Sequence, residues 1–291
     1  MHEPIFVVGT GRSGSTVFFD CLARHPQVAW LSRLAGERPE RLWADRLLME
    51  ARSYPLLDAL LSKHCGPSEA YPFWDHVFAG FSNPCRDLVA EDVTPVAAMR
   101  ARAAVDRLVS RSRNRFLAKI TGWPRVRFLH ELFPSAFFIE VTRDPRSIAS
   151  SLLDVPFWDG WRGPPNWRRG PLPDDLAAIW RDERNSFVAL AAIECVIVQR
   201  ALVESRAAVP VRQFHRVSYS ELCANPVEVF RQVAVFCALD WSARFEKAIR
   251  AMRLVDQSDK WLKNLSVAQQ AVLQRVFDRA QQATTGQADD E

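Results

Sequence analysis

A glycine-rich segment near the amino terminus, VVGTGRSGST, has the residue types of an anion-binding loop. It matches the nucleoside-triphosphate loop G-x-x-x-x-G-K-[ST] at Gly9, Gly14 and Thr16, but Ser15 stands where that motif has lysine. The backbone N–H groups of such a loop, at the positive end of a helix dipole, bind phosphate-like oxygens whatever the side chains are. Arg12 offers a cation from within the loop. The segment predicts an anion site, with a tight structural turn as the alternative.

A second basic segment, FFIEVTRDPRSIASS, begins about 130 residues later. Arg143 follows the end of a predicted strand, and Ser147 and Ser151 lie four residues apart on one face of the helix that comes next. If that strand is parallel to the one before the glycine loop, Arg143 and Ser151 reach the sheet edge where open α/β sheets bind ligands. The two motifs together predict a pocket for two anionic groups.

The pairing of GTGRSGST with RDPRSIASS resembles the PAPS-dependent sulfotransferases, whose donor is 3′-phosphoadenosine 5′-phosphosulfate. The segments HPQV, LAKITG and VSYSELCANP are further matches, and the resemblance covers roughly residues 5–240, thinly between 30 and 110. It implies that the loop cradles the 5′-phosphosulfate. It also implies that Arg143 and Ser151, which are eight residues apart, hold the 3′-phosphate.

The resemblance implies roles for further residues. The donor-binding set comprises the loop, the 3′-phosphate pair and a tyrosine that lies near adenine or packs in the core: Gly11, Arg12, Ser13, Gly14, Ser15, Thr16, Arg143, Ser151 and Tyr219. Arg12 and Lys119 are the candidate catalytic cations, which would stabilise charge on the sulfonate and the leaving phosphate. For Lys119, a solvent-exposed lysine at a strand edge is the alternative. No metal is expected, because Arg12 and the helix dipole replace the cation that ATP-dependent enzymes recruit.

The base that takes the acceptor's proton is left open by the sequence. The family often uses a glutamate or a histidine, and Glu37 is the first carboxylate after HPQV, which makes it the candidate catalytic base. Asp92 is a second candidate. Histidines at three positions are further candidates, although each has packing or capping as the alternative: His25, His130 and His215.

The elements that must position these residues follow an α/β pattern. Apolar runs predict strands at 5–8, 116–120, 137–141 and 211–219. Helical spacing predicts helices at 38–63, 95–114 and 175–206, and from about 267 to 280. The sequence therefore predicts a P-loop-like three-layer α/β fold with a central parallel sheet flanked by helices. Residues 1–282 are expected to form one sulfotransferase-like domain, and 283–291 a disordered tail.

Two segments have roles that the sequence leaves open. Residues 154–173 hold five prolines, three glycines and three tryptophans, which excludes a long helix or a central strand. This segment either folds over a ligand or is stapled to the body by Trp158, Trp161 and Trp167. Late in the chain, Lys260 and Lys263 either reach the 3′-phosphate or precede the last helix.

Composition excludes several classes of protein. With 291 residues and 48% hydrophobic content, the chain can bury a sizeable core. The 38 Lys and Arg against 34 Asp and Glu give a formal charge of +4, too low for a broad nucleic-acid-binding face. No membrane span and no leader peptide are expected. The six cysteines show no C-x-x-C pair, so we expect reduced thiols and a cytoplasmic protein.

The residues by themselves predict a pocket for two anionic groups. The resemblance to the family implies that the chain is a PAPS-dependent sulfotransferase that moves a sulfonate to a hydroxyl or amine of a small-molecule, lipid or saccharide acceptor. A small-molecule kinase that uses ATP is one alternative, although the loop lacks the lysine that reaches the terminal phosphates of ATP. A nucleotide-binding scaffold without a base is another. Neither the acceptor nor the oligomeric state follows from the sequence.

Overall fold

The centre of the fold is a five-stranded parallel sheet, seen in a computed structural model that describes residues 3–33, 41–52, 54–61, 66–82 and 85–288. The strands are β1 (Ile5–Gly9), β2 (Val28–Trp30), β3 (Arg115–Thr121), β4 (Phe137–Thr142) and β5 (Phe214–Ser218), in the spatial order β2-β3-β1-β4-β5. β1 and β2 are buried along their whole length, as expected for a parallel sheet covered on both faces. The predicted α/β fold with a central parallel sheet is confirmed.

Helices cover both faces of the sheet and fill the connections between strands. They are α1 (Ser15–Leu22), α2 (Leu42–Ala51), α3 (Pro55–Leu61), α4 (Tyr71–Val77), α5 (Pro95–Leu108), α6 (Val126–Leu132), α7 (Pro145–Leu153), α8 (Asp174–Asp182), α9 (Phe187–Ala207), α10 (Tyr219–Ala224), α11 (Pro226–Phe236), α12 (Ala243–Arg250), α13 (Lys260–Asn264) and α14 (Val267–Ala288). As predicted for α7, Asp144 is its cap: its side chain accepts a hydrogen bond from the N–H of Arg146, with Pro145 in the first turn.

The register of the central strands brings three chain segments to one edge of the sheet. Gly9 at the end of β1 lies opposite Thr121 at the end of β3, and Val8 lies opposite Glu140 in β4. The segments that follow β1, β3 and β4 therefore start beside one another. Ligands of open α/β sheets bind at this carboxyl edge.

The core has two parts that hold this edge in place. Around β1, the ring of Phe6 packs against those of Trp74, Phe116 and Phe138 at centroid distances of 5.6–6.2 Å. A second apolar cluster joins α7, α8, α9 and α14 and includes buried Trp158 and Trp167. Burial of each such side chain stabilises the fold by about 1.5–3 kcal/mol.

The strands differ from the predicted ones in two places. β2 has no predicted counterpart, because a three-residue strand is too short to produce a periodic pattern. The strand predicted over 211–219 begins at Phe214, since Val211–Gln213 forms a 3₁₀ turn.

The helix predicted over 175–206 is two helices. Arg184 and Asn185 adopt left-handed backbone conformations, with φ of 57° and 54°, and this break separates α8 from α9. The helix predicted over 95–114 ends earlier, at Leu108.

The last helix, α14, extends to Ala288 and so overlaps the tail predicted over 283–291, of which 289–291 lie outside the described residues. The disorder of this tail stays a prediction. The region 38–63, predicted as helical, contains α2 and α3. The assignment of 1–282 to one domain stays a prediction.

Candidate active site at the glycine loop

The glycine loop joins β1 to α1 in a conformation that exposes the start of the helix. Gly14 precedes α1 with φ of 91°, and no side chain caps the first turn. The ring of Tyr219 is so near that a Cβ on Gly14 would lie 2.2 Å from its Cδ2 atom. Glycine is therefore required here by both its φ and the close approach of Tyr219. The first-turn N–H groups lie at the positive end of the helix dipole, an arrangement that suits an anion.

Arg12 ties this loop to the segment after β4. Its backbone is left-handed, with φ of 71°, a conformation that non-glycine residues adopt at a cost and often at functional sites. Its Nε donates to Ser151 Oγ at 2.9 Å, and its carbonyl oxygen accepts from Arg143 Nη1 at 3.3 Å. The two motifs therefore meet, as their positions in the sequence predict.

Arg143 and Tyr219 form a stacked pair beside the loop. The guanidinium carbon of Arg143 lies 4.6 Å from the centre of the Tyr219 ring. Tyr219 is held by its hydroxyl, which donates to the carbonyl oxygen of Val255 at 3.2 Å, and burial raises the pKa of this hydroxyl. Arg143 Nε is buried and makes no hydrogen bond in the described part of the chain.

Two cavities meet at the loop, and Arg12, Ser15 and Thr16 line both of them. The first, here called the Arg143 cavity, has a volume of about 470 Å³. Its further lining includes Gly14, Val17, Arg143, Ser147, Ser150, Ser151, Asp154, Val155, Tyr219, Gln257, Lys260, Trp261 and Asn264. The second, here called the Glu69 cavity, has a volume of about 520 Å³. Its further lining includes Thr10, Gly11, Glu69, Tyr71, Ser82, Thr121, Gly122, Trp123, Arg125, Leu152, Phe157, Arg168, Arg169, Glu194, Cys195 and Val198.

Lys119 connects the loop to the Glu69 cavity. It lies on β3 and is only 5% exposed, so the alternative of a solvent-exposed strand-edge lysine is wrong. Its Nζ donates to Thr16 Oγ1 at 2.6 Å and pairs with Glu69 Oε1 at 2.8 Å. A single ammonium group therefore bridges α1 and a carboxylate in the second cavity.

A buried ion pair anchors the proline-rich segment 154–173 to α9. Arg169 donates to Glu194 Oε1 through Nη2 at 2.7 Å and through Nε at 3.1 Å. Trp158 donates from Nε1 to Glu194 Oε2 at 2.8 Å. Both partners of the ion pair have side chains that are less than 8% exposed.

Both interpretations of this segment describe part of it. Trp158 and Trp167 are buried staples, but Trp161 is 62% exposed and is not one. Phe157 and Arg169 line the Glu69 cavity, together with Arg168. The segment is thus stapled to the body and forms one wall of a cavity.

Most of the predicted donor-binding residues lie around the two cavities. Gly11 lines the Glu69 cavity rather than the Arg143 cavity. Ser13 lines neither: its side chain is fully buried, and a Cβ on Gly9 would lie 3.3 Å from its Oγ. Lys260 lines the Arg143 cavity, whereas Lys263 does not.

The candidate bases that the structure describes lie elsewhere. Asp92 binds Arg86 at 2.6 Å, which lowers its pKa, and it lines neither cavity. The three candidate histidines also line neither cavity. His25 is buried with a lowered pKa and bonds to the carbonyl of Asp240, His130 contacts Gln213, and burial lowers the pKa of His215. Glu37 lies outside the described residues.

Sequence reasoning missed two carboxylates, Glu69 and Glu194. Glu194 could have been found from the sequence, because it is a charged residue inside the apolar run AIECVIV, and a buried charge requires a partner. Glu69 stands in the segment GPSEAYPF before α4, and no spacing there marks it. Its importance follows from its contact with Lys119.

Solved sulfotransferase structures share this P-loop-like fold. Sulfotransferase STF9 from Mycobacterium avium matches with a TM-score of 0.58 and 19% identity, over 95% of this chain and 76% of that one. The sulfotransferase domain of the Synechococcus PCC 7002 olefin synthase has a TM-score of 0.50 and 17% identity, over 98% and 96%. The sulfotransferase domain of the curacin biosynthetic pathway has a TM-score of 0.53 and 14% identity, over 96% and 97%.

At the level of sequence, the comparison with curated proteins found no match. A family model described as Sulfotransferase family, in contrast, matches residues 4–243, which is most of the chain. The glycine loop, Lys119 and the Arg143–Ser151 pair all lie inside the matched region. The chain therefore belongs to the Sulfotransferase family and is a sulfotransferase.

Proposed function

We propose that this enzyme takes its sulfonate from PAPS bound in the Arg143 cavity and transfers it to an acceptor in the Glu69 cavity. The observation that carries the proposal is that the two cavities share the loop residues Arg12, Ser15 and Thr16. A donor and an acceptor on either side of one anion-binding loop are held in line for transfer. The acceptor is a hydroxyl or amine of a small molecule, lipid or saccharide, and a cavity of about 520 Å³ suits a ligand of small-molecule size.

The polar groups of the Arg143 cavity fit a nucleotide with two separate phosphate positions. The first-turn N–H groups of α1 lie at one position, and Arg12 links it to the other through the hydrogen bond from its Nε to Ser151 Oγ. Arg143 and Ser151 lie at the other, and the buried Nε of Arg143 has no protein partner among the described residues, as expected for a donor that serves an anion. Charge-assisted hydrogen bonds of this kind are the strong ones in proteins.

PAPS, when bound, supplies an electrophilic sulfonate whose leaving group is adenosine 3′,5′-bisphosphate. The residues of this chain hold the donor and stabilise the negative charge that develops during transfer. Arg12, Lys119 and the N–H groups of α1 stabilise negative charge on the oxygens at the loop. Arg143 and Ser151 bind the 3′-phosphate, and Tyr219 lies beside the nucleotide.

The proposed location of the enzyme is the cytoplasm. Cytoplasmic location is supported by the free thiols of the described cysteines, of which Cys21, Cys195 and Cys237 are buried. No helix in the described ranges is long and apolar enough to cross a membrane.

No metal and no nucleic acid enter the proposed reaction. Glu37 remains a candidate base.

The test compares ligands by calorimetry. We expect the protein to bind adenosine 3′,5′-bisphosphate in preference to ATP with Mg²⁺. Arg143→Ala should weaken adenosine 3′,5′-bisphosphate roughly tenfold or more, from the loss of about 1.5–3 kcal/mol of charge-assisted bonding. Ser151→Ala should act in the same direction with a smaller effect. Neither variant should affect adenosine 5′-monophosphate comparably, because it lacks the 3′-phosphate.

Three results would overturn the proposal. Equal losses for the bisphosphate and the monophosphate would mean that Arg143 and Ser151 do not bind a 3′-phosphate. A preference for ATP with Mg²⁺ would favour the kinase alternative. Binding of the bisphosphate without sulfonate transfer to any acceptor would favour the scaffold alternative.

A further inference from the structure

The Glu69 cavity contains two carboxylates among its described lining residues, Glu69 and Glu194, and no histidine. Glu194 is fully engaged, because Oε1 accepts from Arg169 and Oε2 accepts from Trp158. Glu69 is less fully engaged. Its Oε1 pairs with Lys119 at 2.8 Å, whereas the contact that Oε2 makes within the described ranges is a long one, to Thr121 Oγ1 at 3.4 Å. Glu69 is therefore the carboxylate in this cavity that has an oxygen available for a ligand.

The position of Glu69 relative to the loop suits proton transfer from an acceptor. Lys119 separates it from Thr16, through contacts of 2.8 Å to the carboxylate and 2.6 Å to the Thr16 hydroxyl. Thr16 belongs to the loop that both cavities share. Glu69 is therefore linked to the loop through one ammonium group, in the cavity where the proposed function places the acceptor.

The orientation of Glu69 is fixed by β3. Thr121 ends that strand, and its Oγ1 donates to Glu69 Oε1 at 3.3 Å. Tyr71 braces Thr121, since its hydroxyl donates to the Thr121 carbonyl at 3.0 Å. The carboxylate is held by a buried lysine and a strand end, which gives it the rigid support that a catalytic group needs.

We propose that Glu69 is the general base of sulfonate transfer, an inference that rests on the proposed function. The proton of the acceptor hydroxyl passes to Glu69 Oε2 while the acceptor oxygen forms a bond to sulfur. The bond between sulfur and the 5′-phosphate oxygen breaks, and its electron pair stays on the phosphate. The products are the sulfated acceptor, adenosine 3′,5′-bisphosphate and the protonated Glu69, which returns its proton to solvent.

Lys119 couples this base to the donor. Its ammonium is shared between Glu69 and the loop, so an anion at the loop competes with the carboxylate for the same charge. The donor and Glu69 therefore contact the same ammonium group.

The test uses Glu69→Gln, which keeps the size of the side chain but removes its proton acceptor. Glu69→Asp is the second variant, because it keeps the charge opposite Lys119 but shortens the reach by one methylene. Glu37→Gln is the matched control for the rival base. For each variant, calorimetry measures adenosine 3′,5′-bisphosphate binding, and labelled PAPS measures sulfonate transfer to water, phenol and para-nitrophenol at mildly alkaline pH.

A base and a merely structural carboxylate give different results with the two phenols. Phenol keeps its proton under these conditions, whereas para-nitrophenol is largely ionised and needs no base. We expect Glu69→Gln to bind the bisphosphate at least as tightly as the wild-type protein, because the carboxylate no longer competes for Lys119, and to slow transfer to phenol by about 10²–10⁴. Transfer to para-nitrophenol should change little. Glu69→Asp should lose about tenfold or more with phenol, and the loss in Glu69→Gln should exceed that in Glu37→Gln.

Several results would overturn the assignment. If the Glu69→Gln variant transfers sulfonate to phenol at the wild-type rate, the base lies elsewhere. The same follows if this rate falls in Glu37→Gln instead. Equal losses with both phenols would make Glu69 a positioning residue for Lys119. Bisphosphate binding by the wild-type protein with no transfer to any of the three acceptors would favour the scaffold alternative. Failure of the wild-type protein to bind the bisphosphate would exclude PAPS as the donor. Either result would overturn the proposed function, whereas the results with the Glu69 variants test the base alone.

Discussion

The two cavities that meet at the glycine loop are built in different ways. The Arg143 cavity is formed mainly by two short segments, the loop after β1 and the start of α7 after β4, which the parallel sheet brings side by side. The Glu69 cavity is formed by side chains that come from residues 10 to 198 and interlock through ion pairs. The position of the backbone in the sheet determines the Arg143 cavity, whereas contacts between side chains that are distant in the sequence determine the Glu69 cavity.

Their charges are balanced differently as well. Within the described ranges, Arg12 and Arg143 form no ion pair and donate to neutral oxygens. In the Glu69 cavity, Arg169 is paired with Glu194. Removing a charge from the Arg143 cavity should therefore weaken ligand binding or lower the rate of sulfonate transfer. Removing one from the Glu69 cavity should leave a buried partner uncompensated and lower the stability of the fold.

The largest expected effect breaks the ion pair of the Glu69 cavity. Arg169→Met leaves the buried Glu194 carboxylate without its partner, so the free energy of unfolding should fall by about 3–5 kcal/mol. The double variant Arg169→Met/Glu194→Gln should recover most of this loss, because the amide oxygen still accepts from Trp158. Urea unfolding of the three proteins measures the effect. A loss below about 1 kcal/mol in the single variant would show that this pair does not anchor the segment 154–173.

Arg12 tests the point where the two cavities join. Arg12→Ala should lower kcat by about 10²–10³, as for the loss of one oxyanion donor, with a smaller effect on the affinity for adenosine 3′,5′-bisphosphate. Arg12→Lys should recover part of the rate, since the charge survives without the planar fork. Steady-state kinetics with PAPS and calorimetry measure the two quantities. A loss of affinity with kcat unchanged would assign Arg12 to ground-state binding alone.

Gly14 and Gly11 sharpen the comparison because they lie in one loop but line different cavities. Gly14→Ala introduces a Cβ 2.2 Å from the Tyr219 ring at a φ of 91°, so Tyr219 must shift. We expect a cost of about 1–3 kcal/mol in stability and weaker bisphosphate binding. Gly11→Ala is the matched control, since its Cβ would meet no atom within 4 Å. Similar bisphosphate affinities of the two variants would contradict the role given to Tyr219 and the Arg143 cavity.

The fold and the Arg143 cavity could be predicted because their signals are local. Strand–loop–helix units show as apolar runs beside glycine or proline, and the eight-residue spacing of Arg143 and Ser151 lies within one such unit. The parallel sheet then brings two such units together. β2 escaped prediction because three residues carry too little pattern.

The Glu69 cavity could not be predicted in the same way. Lys119 and Thr16 are 103 residues apart, and Glu69 and Thr121 are 52 apart, so no motif in one segment contains the site. Glu194 was detectable as a charge in an apolar helix, but its partner Arg169 lies in an irregular segment. Contacts of this kind depend on how the elements pack, which the periodicity of the sequence does not specify.

The smallest expected effect separates two lysines of the same short helix, α13. Lys260 and Lys263 are both exposed, but only Lys260 is among the residues that line the Arg143 cavity. An exposed ammonium contributes about 0.2–1 kcal/mol to an ionic contact, so Lys260→Ala should weaken the bisphosphate by about twofold to fivefold. The loss should shrink at high salt, because exposed charges are screened. Lys263→Ala has the same change in net charge, so any general electrostatic effect on an anionic ligand appears in both variants. Equal affinities of the two variants would mean that Lys260 acts only through the overall charge of the protein and not through contact with the nucleotide.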